Sequence, residues 1–116
     1  DTLSSFSNFG ISAVELAAPG REVRTTIYPG IYGNATGTSF AAALTSGVAA
    51  LLAAAKPDAT VAEIRTALLG GVDKLPSLAG KVATGGRLNA KGALDVLLGA
   101  RAPGEVPPVG KGTLAG

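Results

Sequence analysis

The chain has 116 residues, 47% of them hydrophobic, which suits one modest domain with its own core and excludes wholesale disorder. Ten Lys and Arg against eight Asp and Glu leave a net charge of +2, and the basic residues are scattered without runs or interleaved aromatics, which speaks against nucleic-acid binding. Cys is absent, so no disulfide framework exists, and the longest apolar stretch, Phe40 to Ala55, is broken by Thr45, Ser46 and Gly47 and is too short for a convincing membrane span.

In chain order, Asp1 to Gly10 is Ser-rich and reads as a loop packed by Phe6 and Phe9. Val14 to Ala18 is a short strand stopped by Pro19-Gly20. Val23, Thr25 and Ile27 alternate with Arg24 and Thr26, so Glu22 to Tyr28 predicts a second strand, and Pro29-Gly30 marks a turn. Ile31 to Asn34 predicts a third strand leading into Gly37. From about Ser39 to Ala55 the chain carries no charge and no Pro and is dominated by Ala and Leu, which predicts a helix. That helix is apolar nearly all round, so it is expected to be central and buried, with Gly47, Ala50 and Ala54 admitting a neighbouring backbone. Lys56-Pro57 ends it.

Thr60-Val61-Ala62-Glu63 fits a capping box, and Val61, Ile64 and Leu68 then share a helix face with Ala67 beside them, up to Gly70-Gly71. Val72 to Gly86 reads as a loop with at most a short extended piece. Asn89 caps a third predicted helix, Ala90 to Leu98, with Ala93, Leu94 and Leu97 inward. Residues 100–116 hold Pro103, Pro107, Pro108 and several Gly, and read as a flexible tail. The expected domain is therefore 1–99. The class is α/β or α+β, with strands early and helices late.

The chemistry concentrates at Gly37-Thr38-Ser39-Phe40. Gly37 is expected to supply a backbone geometry that a β-carbon forbids. Thr38 or Ser39 is expected to cap the long helix, which would put Ser39 where unpaired N–H groups and the positive end of the helix dipole favour a developing negative charge. That setting suits an acyl-transfer nucleophile and also suits a purely structural cap. The carboxylates are isolated, Asp58 with Glu63 and Asp73 with no near partner, so no metal site and no cofactor is expected.

Met and His are both absent. The missing Met leads to the expectation of a chain trimmed at its front, and no signal peptide is recognisable. The missing His means that no Ser-His-Asp triad can be completed within one copy.

The run GTSFAAALTSGVAALL, preceded by SFSNFG and VELAAPG and followed by GGRLNAKGAL, resembles the C-terminal part of a subtilisin-like serine peptidase, a subtilase, over roughly Ser4 to Leu98. The family's serine motif is Gly-Thr-Ser, then Met, Ala, a variable residue, Pro, His, Val, Ala and Gly; Gly37, Thr38, Ser39, Ala41 and Gly47 match it in register. The resemblance implies an α/β fold, the C-terminal part of a parallel, helix-covered sheet, with a rearranged or domain-swapped topology as the alternative in isolation. It implies that Ser39 is the nucleophile, that its backbone N–H supports the oxyanion together with the Gly37-Thr38 turn, and that Phe40, in place of Met, lies next to the substrate. Ala43 and Leu44 stand where the family has Pro-His, whose His is a packing residue. The triad Asp and His and the oxyanion Asn precede the serine in the family by more residues than this chain holds there. A secreted parent is implied by the resemblance alone.

Gly37-Thr38-Ser39-Phe40-Ala41 also approaches the nucleophile elbow of α/β-hydrolases, but that fold places its His after the serine, where this chain has none. Two functions follow. One is a serine hydrolase acting on peptide bonds in the parent and at most on esters here, its base being a Lys, a carboxylate, the N-terminal amine or a group from another chain. The other is a non-catalytic fragment or pseudoenzyme module. Both imply burial of the apolar helix by a homo-oligomer or a complementing chain.

Overall fold

A computed structural model describes residues 1–105; the rest of the expected tail lies outside the described residues. Strands β1 (Val23–Ile27) and β2 (Ile31–Ala35) pair antiparallel, Val23 opposite Ala35 and Ile27 opposite Ile31. The three residues Tyr28–Gly30 that join them are too few for a parallel crossover. Gly30 sits at φ 83°, the left-handed region this turn requires, and donates to the Ile27 carbonyl at 3.0 Å. Helix α1 (Thr38–Ala55) follows, then α2 (Val61–Gly70), the two-residue strands β3 (Asp73–Lys74) and β4 (Gly86–Arg87), and α3 (Ala90–Leu97). β3 and β4 pair antiparallel across a 3-10 turn at Pro76–Leu78.

The parallel element of the expected sheet is reduced to one bridge. Ala17 pairs with Arg87 in parallel, its N–H donating to Gly86 O (3.0 Å) and its carbonyl accepting from Leu88 N–H (2.7 Å). Of the predicted strand Val14–Ala18, only Ala17 makes a bridge.

The core forms where α2 and α3 cross. Leu52, Ala67 and Ala93 are buried together, with Val48, Ile64, Leu68, Leu94, Val96 and Leu97 packed round them. Gly71 and Gly92 make the crossing close: a β-carbon on Gly71 would strike the backbone of Gly92 and Ala93. Val72, Leu78 and Val82, in the segment that follows α2, are also buried. Both shorter helices start as expected. Thr60 Oγ1 accepts from Glu63 N–H (3.2 Å) and Glu63 Oε2 accepts from Thr60 N–H (2.7 Å). Asn89 Oδ1 accepts from Gly92 N–H at 2.9 Å. Residues 100–105 are held on this pair of helices, with Arg101 N–H donating to Asp95 O (3.1 Å) and Gly104 N–H to Gly70 O (2.8 Å).

Four expectations are corrected. α1 is not buried on every side in this chain, because α2 and α3 reach only its C-terminal half; Leu52 is its one buried residue. Among the described residues, no neighbouring atom lies within 4 Å of where a Gly47 β-carbon would be. Val61, at the first position of α2, is 84% exposed rather than on the inward face. Phe6 and Phe9 are exposed and do not pack their loop.

Candidate functional site

The site is built on two chain segments that close on each other. Gly37 N–H donates to Gly20 O at 2.7 Å, and Glu22 N–H donates to Thr36 Oγ1 at 3.0 Å. A β-carbon on Gly20 would lie 2.8 Å from the Gly37 carbonyl and 3.3 Å from the Ala41 β-carbon, so only Gly fits there. The Pro19-Gly20 pair, read from sequence as a strand stop, therefore sets where α1 begins. The sequence carried no signal for this role, because the contact joins residues distant along the chain.

Gly37 itself is not conformationally demanding. Its φ of 161° is extended backbone, and a β-carbon there would meet the Phe40 ring at an ordinary 3.6 Å. The cap expectation is also corrected. Gly37 occupies the cap position, and Thr38 and Ser39 are the first two residues inside the helix, with no side-chain cap bond. Phe40 N–H is taken by Gly37 O at 3.2 Å. The Thr38 and Ser39 side chains are thus not spent on closing the helix end. Both residues are exposed, and Phe40 is half-buried. Further along the helix, Thr45 and Ser46 donate their hydroxyls back to Ala41 O (2.9 Å) and Ala42 O (3.0 Å).

Ser39 therefore presents a hydroxyl at the N-terminal turn of an 18-residue helix, where free amides and the dipole stabilise an oxyanion. The candidate bases lie elsewhere. Lys56 Nζ is held by Glu63 Oε1 at 2.7 Å, Lys91 Nζ by Asp95 Oδ2 at 2.6 Å, and Lys74 Nζ by Thr84 O. The Glu63 bond raises the Lys56 pKa, the wrong direction for a base. Glu63 is lowered to about 2 by the Lys56 bond first and by both bonds from Thr60.

Asp73, read from sequence as isolated, is bonded by Arg87 Nη2 (2.9 Å) and Asn89 Nδ2 (2.8 Å). Partial burial opposes its charge, but the Asn89 and Arg87 bonds outweigh that and lower its pKa. Arg87 also pairs with Asp1, so this cluster ties the first residue to β3 and β4. It is a structural clasp remote from Ser39 in sequence.

A cleft of about 900 Å³ opens beside the site. Gly37, Thr38, Ala41 and Thr45 line it on the α1 side and the extended run 14–18 on the other, while Ser39 and Phe40 lie outside the lining.

Residues 1–92 match the Subtilase family. The chain belongs to the subtilase family. One subunit of the subtilase cytotoxin of Escherichia coli is 40% identical over 90 residues, which cover 78% of this chain and 26% of that protein. Thermitase of Thermoactinomyces vulgaris is 39% identical over 95 residues, 82% of this chain and 33% of the relative. A solved structure of the assembled subtilase cytotoxin SubAB superposes with a TM-score of 0.72 at 38% identity, over 79% of this chain and 29% of that one. The subtilase fold class is thus shown, and the chain spans about a quarter to a third of the length of these relatives. α1, which is long and apolar enough by length and composition to cross a membrane, lies within the subtilase match.

Proposed function

We propose that this chain is the serine-bearing part of a subtilase and that Ser39 is its nucleophile. The observation that carries the reading is the placement of Ser39: exposed, free of cap duty, on the first turn of α1, in a segment that matches the family. Attack by its Oγ on an acyl carbonyl would build negative charge on the carbonyl oxygen, and the Ser39 N–H at the helix N-terminus supports that charge. Gly37 and Thr38 hold the turn, and Phe40 borders the acyl group. In a complete domain the substrate class is the peptide bond. This chain contains no His, so the proton of Ser39 has no imidazole acceptor of its own. An activated ester, whose leaving group needs no protonation, is the substrate within reach of the chain alone.

The test is hydrolysis of a chromogenic short-chain ester by the purified chain against Ser39→Ala. The expected result is a rate above buffer that the substitution removes. Equal rates overturn the assignment. The missing His and the open face of α1 favour one alternative, a non-catalytic module that acts by association with a second copy or a complementing chain; assembly of the SubAB relative is consistent with a subtilase segment working in a complex.

A further inference from the structure

The family match ends at residue 92, and the described chain beyond it is tied down step by step. Gly99, at φ 77°, lets α3 close in a Schellman motif: Gly99 N–H donates to Val96 O (3.2 Å) and Ala100 N–H to Asp95 O (2.8 Å). Ala102-Pro103-Gly104-Glu105 then has the features of a type II turn, with Pro second, Gly104 third at φ 80°, and Glu105 N–H donating to Ala102 O at 3.1 Å. Glu105 closes this turn from its other side. Its Oε2 accepts from Ala102 N–H (3.1 Å) and its carbonyl accepts from Arg101 Nε (2.7 Å). The turn lies on the end of α2: Gly104 N–H donates to Gly70 O at 2.8 Å, and a β-carbon on Gly70 would stand 2.7 Å from Pro103 Cβ. Arg101 Nη1 is 2.8 Å from the place a Gly92 β-carbon would take, which sets the guanidinium beside the close crossing of α2 and α3.

We propose that residues 100–105 are a strap that locks the crossing of α2 and α3 and is closed at Glu105. The last carbonyls of a helix have no donors within the helix. One short run here supplies donors to both helices, to Asp95 O of α3 and to Gly70 O of α2, so it fixes their separation as well as their ends. The crossing buries Ala67 and Ala93 together with Leu52 of α1. Opening the strap therefore loosens the packing beneath the C-terminal half of α1. The strap lies past the family match and takes no part in Ser39 chemistry.

Amide hydrogen exchange of the full chain tests the lock, with the strap opened from opposite sides. Glu105→Ala removes the carboxylate that closes the turn, and Gly70→Ala pushes Pro103 off α2. The expected result in both is exchange faster by about fivefold or more at Gly104 and also at Gly71 and Ala93. The N–H groups of Gly71 and Ala93 bond to Ala67 O and Asn89 O, not to the strap, so their exchange reports on the crossing itself. Ala favours helix over Gly, so faster exchange at Gly71 in Gly70→Ala does not come from α2 alone. Glu105→Gln keeps an oxygen that accepts from Ala102 N–H and is expected to exchange at the parental rate. Acceleration confined to 101–105, with Gly71 and Ala93 at the parental rate, makes the run a passive extension and overturns the proposal. Exchange in Glu105→Gln as fast as in Glu105→Ala also overturns it, because the side-chain oxygen is then not the closure. If one alanine variant fails to fold, the other gives the answer.

Discussion

Gly20 and Gly37 meet across the entrance to α1, and the hydrogen bond between them fixes where Ser39 stands. The space at Gly20 has no room for a methyl group against the Gly37 carbonyl. Gly20→Ala is therefore expected to destabilise the chain by about 1–3 kcal/mol, the usual cost of overpacking, and to shift the first turn of α1. Gly37→Ala, in contrast, meets the Phe40 ring and Ser39 Oγ at ordinary contact distances on extended backbone, and should cost less. Thermal unfolding of the two variants checks the order, and a larger loss for Gly37→Ala contradicts it. The motif pointed to Ser39 as the residue of interest, but it assigned the backbone demand to the wrong glycine. Gly37 carries the motif, whereas the steric demand falls on Gly20, and that is a tertiary contact with no local pattern.

Among the elements, α2 and α3 were legible almost to the residue, because a capping box and an Asn cap are local chemistry written in adjacent positions. The sheet was not. A run such as 14–18 becomes a strand only through partners, and here only Ala17 finds one, in its bridge to Arg87. α2 also carries a pH dependence. Glu63 has an ordinary carboxyl pKa of 4.5 when unfolded and about 2 when folded, held down chiefly by the Lys56 bond and then by Thr60. The folded state therefore binds fewer protons through this window. The stabilisation is fully present above 4.5 and is lost as pH falls towards about 2. Glu63→Gln keeps the capping geometry and removes the titration, so its stability should fall less steeply than that of the parent chain between those two pH values. Denaturant midpoints measured across the window check this, and parallel acid limbs for the two proteins contradict it.

For the whole molecule, the decisive features are an α1 with a single buried residue and a composition without His. Both fit a chain that holds about a quarter to a third of a subtilase. The helix was read as buried because its sequence is apolar all round; that pattern records the environment of a complete domain, and the same reading expected a second copy or a complementing chain to supply the cover that this chain lacks. The missing imidazole has a kinetic consequence. The same base that activates the serine for acylation also activates water for deacylation. A Ser39 that attacks an activated ester without such a base should therefore deacylate slowly, so that the acylated form accumulates during hydrolysis. Ser46 is the internal control, an exposed serine on the same helix whose hydroxyl is bonded to Ala42 O and lies away from the N-terminal turn. The direct test is mass-spectrometric mapping of the purified chain after exposure to a short-chain activated ester. The account predicts acyl groups on Ser39 well ahead of Ser46; equal acylation of the two serines would contradict it.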